Sequence, residues 1–313
     1  MALVVLFLRR PDALLDAKFW AEDGKYWYAQ AHNDGVWASL FRPHTGYLQT
    51  FSRVTFSIAQ IVPLEYAPML ANALGLIVRA LPALLLASRR FDWADWRARL
   101  LIATFYLLMP GIDEVHPNIT NAHWYIGLYM LMVVVSVPPR SRWGQVHDYG
   151  ALLIGGLSGP FIAFLIPSAA IRVALEWKGA HRRWSLALLS IAAALSALQI
   201  SLILLTGASR NAAELGATLT GFAKIVASRV LSLDITEVRA IFAESNALSL
   251  AALALAVFVL AVAIRNAGWR VAALASYAGL LLGAALASPV MADVGPIWPL
   301  FLIGGDRYFV VPI

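Results

Sequence analysis

Apolar runs close to twenty residues long recur along this chain, at about 64–87, 100–112, 121–137, 185–205, 246–264 and 271–289. As helix, about twenty apolar residues cross roughly 30 Å of hydrocarbon with every backbone polar group bonded internally. That feature sets the expected fold class: an all-α, polytopic membrane protein. Hydrophobic residues make up 60% of the chain and charged ones 13%, against roughly 25% charged in soluble domains; mean hydropathy is +0.72. Sequence alternating between apolar and polar over ten residues is scarce, which argues against an outer-membrane barrel. Residues 1–8 are apolar but run into Arg9, Arg10 and Pro11 without a small-residue cleavage site, so no cleavable signal is expected. The net charge of +6 reads as cytoplasmic-loop charge in contact with a lipid bilayer; with no basic stripe on a soluble domain, no nucleic acid is expected as partner. With no cysteine, disulfides, thiolate nucleophiles and cysteine-ligated metals are excluded.

Loop charge supplies a topology, because basic residues collect on the cytoplasmic side. Segments 88–99, 138–148, 172–183 and 265–270 hold twelve Lys or Arg in 41 positions, whereas 20–63, 110–121, 158–160, 206–246 and 290–307 hold eight in 118. Sides alternate strictly only if the apolar region 149–172 turns back at Ser158-Gly159-Pro160, where proline removes a helix donor and glycine loosens the backbone. A broken helical hairpin is therefore expected there, of a kind tolerated at membrane depth only where it is buried or lines a cavity. Arg79 lies inside the 64–87 run and is expected to snorkel toward the cytoplasmic face, unless a buried partner holds it. Arg9 and Arg10 fall on the outer side of a first helix too short to cross, so the chain is expected to begin inside that helix or to continue upstream.

Four polar segments then share the outer face: Glu22 with Asp23, residues 116–121, Ser158-Gly159-Pro160, and Gly304-Gly305-Asp306-Arg307-Tyr308. Polar residues converging from separate hairpins make a composite site. Glu22 and Asp23 sit among large aromatics, and a carboxylate pair beside a bilayer is costly enough to be read as functional. Asp23 reads as a general base, a metal ligand, or half of an ion pair with Lys25 or an arginine; the plainer reading is a solvated or capping carboxylate at a helix starting near Gly24. Pro43 and Gly46 mark a turn holding His44, which reads as a turn histidine more readily than as a ligand or base. Tyr47 to about Ile61 is amphipathic and is expected to lie along the interface. Arg53 on that stretch suits a phosphate, through its forked guanidinium, or equally a lipid headgroup. Asn118, Asn121 and Trp124 suit carbohydrate hydroxyls, although the amides suit helix capping as well. His116 and His123, with no carboxylate at helical spacing, are a weak metal signal. The loop 206–246 carries Arg210, Glu214, Lys224, Arg229, Asp234, Glu237, Arg239 and Glu244 and reads as amphipathic helices, a lid, or a solvated charged loop.

The segment Phe19-Trp20-Ala21-Glu22-Asp23-Gly24, followed by Pro43-His44-Thr45-Gly46-Tyr47 and Arg53, resembles the first outer loop of bacterial GT-C superfamily glycosyltransferases. Asn118-Ile119-Thr120-Asn121-Ala122-His123-Trp124, Gly156-Leu157-Ser158-Gly159-Pro160 and Arg307-Tyr308-Phe309 resemble, in the same order, segments of related polytopic proteins. The resemblance implies a GT-C-like bundle of about eight to nine membrane helices, forming one transmembrane domain over 1–313 with loops 20–63 and 206–246 as its catalytic face. It implies transfer of a sugar from a polyprenyl-phosphate-linked sugar donor to a glycan, lipid or protein acceptor at the outer face of the bacterial inner membrane. Asp23 and Glu22 would be the catalytic carboxylates, one of them the base, with Arg53 and Arg307 on the donor phosphate. His44, Tyr47, Asn118, Asn121, Trp124 and Tyr308 would line the substrate site. No residue is assigned as a certain metal ligand, but the family allows a divalent cation, Mg or Mn, near Glu22 and Asp23. Between the two carboxylates, Asp23 is expected to be the principal base, since Gly24 lets the backbone bend and a helix starting there would favour the ionised form. The rival readings are a polytopic transporter or lipid flippase, which internal repeats would support, and a non-catalytic assembly protein of envelope polysaccharide synthesis.

Overall fold

The computed structural model describes residues 1–111, 114–206, 213–233, 235–289 and 295–312. It is all-helical, with 75% of residues in helix and no strand among the described residues. Four helices are long and apolar enough to cross a membrane: Leu64–Ala87, Arg182–Thr206, Asn246–Ala267 and Trp269–Ala287. Two more apolar stretches, Ala122–Val135 and Pro160–Leu175, are shorter. The run expected over 100–112 is the thirteen-residue helix Trp96–Leu108. The chain divides into two compact units, Met1–Leu108 with Val115–Ala208, and Met109–Glu114 with Ser209–Ile313.

In the first unit, Ala122–Val135 is buried on all sides, as expected of a helix apolar all round. Ala67–Ala87 packs against it. At Gly75 a β-carbon would lie 2.5 Å from the Pro117 carbonyl oxygen, so only glycine permits this approach of helix and loop. Arg79, on the same helix, does not snorkel. It is fully buried, its guanidinium over the ring of Tyr125 at 5.2 Å.

The region 149–172 is interrupted at the expected place. Helix Arg142–Gly156 stops, Gly159 takes φ 156°, and a 3₁₀ segment Pro160–Leu165 leads into helix Ile166–Leu175. The first of these begins earlier than its apolar run. Ser141 accepts a 3.1 Å bond from the Gly144 N–H and caps the helix, so residues 142–148 are its opening turns rather than loop.

Polar side chains close the first unit at both ends. At one, Arg90 grips Asp148 with two 2.9 Å bonds, while Trp184 Nε1 donates to the same carboxylate at 3.1 Å. Arg172 lies over the Trp184 ring at 4.3 Å and donates to the Ser136 carbonyl at 2.7 Å. The segments 88–99, 138–148 and 172–183, grouped by their charge, thus meet. At the other end, the Phe51 N–H donates to Ser158 Oγ at 3.0 Å, and the Thr50 N–H to the Leu157 carbonyl at 3.0 Å. Gln199, buried in the Arg182–Thr206 helix, completes this junction. Its Oε1 accepts from the Leu48 N–H at 2.9 Å, and its Nε2 donates to the carbonyls of Leu48 and Gly156 at 3.3 and 2.7 Å.

The second unit contains Leu219–Ile225 running into a π-helical turn Val226–Leu231, then Thr236–Glu244, Asn246–Ala267 and Trp269–Ala287. The charged loop 206–246 is therefore largely helical, although Arg210 and Asp234 lie outside the described residues. Arg229 is buried and pairs with Asp306 at 2.5 Å. Of the Asn246–Ala267 helix, only Ser249 is buried.

Candidate functional site

The segment that carries Glu22 and Asp23 builds its site from a sharp turn. Ala21 takes φ 43°, a left-handed conformation that a β-carbon disfavours. The chain then enters a π-helical turn, Asp23–Tyr28, that continues as Ala29–Asn33. Gly24 has a packing role here: a β-carbon would meet Phe19 Cδ2 at 2.8 Å. Phe19 in turn packs on Phe56 and Tyr28, at 5.7 and 5.2 Å between centroids. Trp27, Phe56, Ala59, Ala67, Ala71 and Ile119 form the apolar floor beneath the loop.

Adjacent in sequence, the two carboxylates face different surroundings. Asp23 is 1% exposed. Its Oδ1 accepts from the Thr120 N–H and hydroxyl, both at 2.8 Å, and its Oδ2 from the Ile119 N–H at 3.4 Å. Burial pushes its carboxyl up to about 7, against the lowering effect of those same hydrogen bonds. The carboxyl is turned inward onto the 116–121 segment. Glu22 is half-buried and makes no hydrogen bond among the described residues. Its charge is felt at His44, where it opposes the lowering of the imidazole pKa by burial and by Arg53.

His44 sits in a two-residue hairpin. His44 and Tyr47 exchange backbone bonds of 2.9 and 3.2 Å around Thr45 and Gly46, both at positive φ, as such tight turns require. The imidazole lies between two rings, 4.5 Å from Tyr26 and 4.7 Å from Trp27. Tyr47 is half-buried beside it.

Arg53 comes from the Thr50–Ile58 helix, whose faces are inverted relative to a water-soluble helix. Ser52, Arg53, Thr55 and Phe56 point inward, while Val54, Ile58 and, just beyond, Ile61 are exposed. The Arg53 side chain is 1% exposed, with its guanidinium 5.0 Å over Trp27 and Nη1 donating to Gln30 Oε1 at 3.0 Å. Nε and Nη2 are buried with no hydrogen-bond partner among the described residues, and no carboxylate there pairs with it. Burial, then the nearby charge of Arg42, lowers its pKa to about 10, so it stays cationic at neutral pH. Arg42 itself pairs with Asp34 at 2.8 Å. Glu22, His44, Arg53, Tyr26 and Trp27 thus gather into one aromatic, cationic cluster.

The remaining expected site residues are engaged elsewhere. Asn118 Oδ1 accepts from the Asn121 N–H at 2.9 Å and from its amide at 3.1 Å, which shapes the turn before helix Ala122–Val135. Trp124 packs on Phe161 at 4.5 Å. Arg307 and Tyr308 belong to the second unit. There Arg307 pairs with Glu114 at 3.2 Å, and Tyr308 packs edge-on to Phe301 at 5.5 Å. No three His, Asp or Glu side chains gather as metal ligands among the described residues. Both Asp23 oxygens accept hydrogen bonds. Gln30, the one hydrogen-bond partner that the Arg53 guanidinium has among the described residues, escaped sequence reasoning. Its spacing from Arg53 carries no pattern.

No protein-family model, curated protein or solved structure matches this chain.

Proposed function

We propose that the protein is a membrane glycosyltransferase that moves a sugar from a polyprenyl-phosphate carrier to an acceptor at the outer face of the bacterial inner membrane. One observation carries this reading: a buried guanidinium, Arg53, with two unpartnered nitrogens, set among aromatic rings in the loop of a helical, apolar protein. A forked cation in such a place suits a phosphate oxygen pair. The half-buried ring of Tyr26 suits the apolar face of a sugar.

The chemistry then divides simply. An acceptor hydroxyl attacks the anomeric carbon, the bond from that carbon to the phosphate oxygen breaks, and polyprenyl phosphate leaves with the electron pair. Arg53 stabilises the charge on the leaving phosphate. Glu22 takes the hydroxyl proton, because its carboxylate is not committed to the fold. Asp23 is the positioning residue: it fixes the Glu22 backbone against Ile119 and Thr120.

The test is incubation of the purified protein with a polyprenyl-phosphate hexose and an acceptor extract, following release of polyprenyl phosphate. Glu22→Gln should slow release by about 10²–10⁴-fold, and Arg53→Gln should abolish it. Release unchanged in both variants would rule the assignment out. A larger rate loss in Asp23→Asn than in Glu22→Gln, at equal thermal stability, would return the base role to Asp23.

A further inference from the structure

At the end of the first unit where the basic segments meet, the helix Ile166–Leu175 leaves Ala170, Ile171, Ala174 and Leu175 exposed. An open groove of about 670 Å³ lies there, lined by Ala170, Val173, Ala174, Leu175, Trp177 and Lys178. Its volume falls in the range of ligand pockets, about 300–1,000 Å³. The four aliphatic side chains make an apolar wall. Trp177, half of whose surface is open, stands at its edge.

The rim of the groove is cationic. Lys178 lines it directly, and Arg182 holds its guanidinium 4.1 Å over the Trp177 ring. Stacking of this kind fixes the plane of a guanidinium and leaves its N–H edge able to donate. Lys178, Arg182 and the adjacent Arg183 are exposed, and none forms a salt bridge among the described residues. The carboxylate of this turn, Glu176, does not line the groove. Its Oε2 lies against Gly179, where a β-carbon would meet it at 2.6 Å. Arg172, from the same helix, is turned inward onto Trp184 and the Ser136 carbonyl and takes no part.

An apolar wall below a rim of tryptophan and cations matches a molecule with hydrocarbon at one end and a phosphate at the other. A soluble anion leaves the wall bare to water. A zwitterionic lipid covers the wall but brings a cation of its own to the rim. We propose that this groove binds one anionic phospholipid, with an acyl chain along Ala170, Val173 and Ala174 and the phosphate between Lys178 and Arg182. Trp177 then sits at the level of the headgroup. The inference rests on this end of the unit lying at a bilayer surface and is independent of the transfer reading.

The test is lipid retention by the full chain in detergent, read by native mass spectrometry during titration with phosphatidylglycerol or phosphatidylcholine of the same acyl chains. One equivalent of phosphatidylglycerol should bind about tenfold more tightly than phosphatidylcholine. Lys178→Gln combined with Arg182→Gln should bring the two lipids to equal affinity. Arg89→Gln combined with Arg97→Gln removes the same charge from exposed residues that do not line the groove, and should leave the preference intact. Ala174→Trp, which fills the groove and keeps both cations, should remove the tight equivalent. Glycerol 3-phosphate, which has the headgroup phosphate without the chains, should not displace the lipid. Equal affinities in the unaltered chain, an equal loss in the Arg89 and Arg97 pair, or full binding in Ala174→Trp would each overturn the proposal. Displacement by glycerol 3-phosphate would reassign the groove to a soluble phosphate and overturn it as well. All the substituted side chains are exposed, so the variants are expected to fold, with melting temperature as the check. Should Ala174→Trp not fold, the two charge pairs decide.

Discussion

Asp23 Oδ1 accepts two 2.8 Å bonds from Thr120, across 97 residues of sequence. The pair ties the segment carrying Asp23 to the one entering helix Ala122–Val135, and it makes stability depend on pH. The native carboxyl titrates near 7 against an ordinary value of 3.8, so the native state binds more protons between those values. Stability should therefore fall as pH rises from about 4 through 7. Melting temperatures from pH 5 to 8 should show this slope, and Asp23→Asn should flatten it. An equal slope in the variant would mean that another group sets it.

Arg53 should matter for binding and not for folding. Replacing an unpaired buried cation by a neutral side chain of similar length removes a desolvated charge. Arg53→Met should leave stability unchanged or raised by about 1 kcal/mol, while donor binding is lost. Arg53→Lys keeps the charge without the fork and should rescue binding poorly. A fall in melting temperature in Arg53→Met would show that the guanidinium holds the loop together.

Two glycine-to-alanine changes should differ in severity. At Gly24 the new β-carbon meets a side chain, Phe19, at 2.8 Å, which can shift; about 1–2 kcal/mol of destabilisation is expected. At Gly75 it meets the Pro117 carbonyl oxygen at 2.5 Å, and backbone must move. Gly75→Ala should cost about 3 kcal/mol or more, read as yield of folded protein and melting temperature. Equal effects would contradict the packing described.

Gln199→Leu is nearly isosteric yet removes all three bonds to Leu48 and Gly156. Leaving those backbone groups unsatisfied should cost on the order of 3 kcal/mol. Faster exchange of the Leu48 amide should accompany it, and an unchanged exchange rate would show that the junction does not depend on this amide.

The long apolar helices were legible because length and hydropathy alone decide them, as at Asn246–Ala267. The interruption at Ser158-Gly159-Pro160 was legible because three adjacent residues each oppose a continuous helix. Inward-facing polar groups were not. Gln199 is a single amide in an apolar run, and Asp148 looks like loop charge until Arg90, 58 residues away, is placed beside it. Arg79 read as a snorkelling side chain because sequence gives its depth but not the direction it takes from the helix. The contrast between Glu22 and Asp23 was equally hidden, since Thr120 is what separates an inward carboxylate from its neighbour.

The outward side of the Thr50–Ile58 helix has a consequence for how a ligand arrives. Val54, Ile58 and Ile61 on that side are stable against acyl chains and poorly stable against water. Under the proposed function, the wall behind Arg53 would be a boundary with the oily phase. A molecule whose headgroup is tethered to a long isoprenoid would glide in sideways and never be extracted from the leaflet. A freely dissolved sugar nucleotide gains nothing from that route, so discrimination between the two classes of donor would begin with the direction of approach, before any contact with the guanidinium.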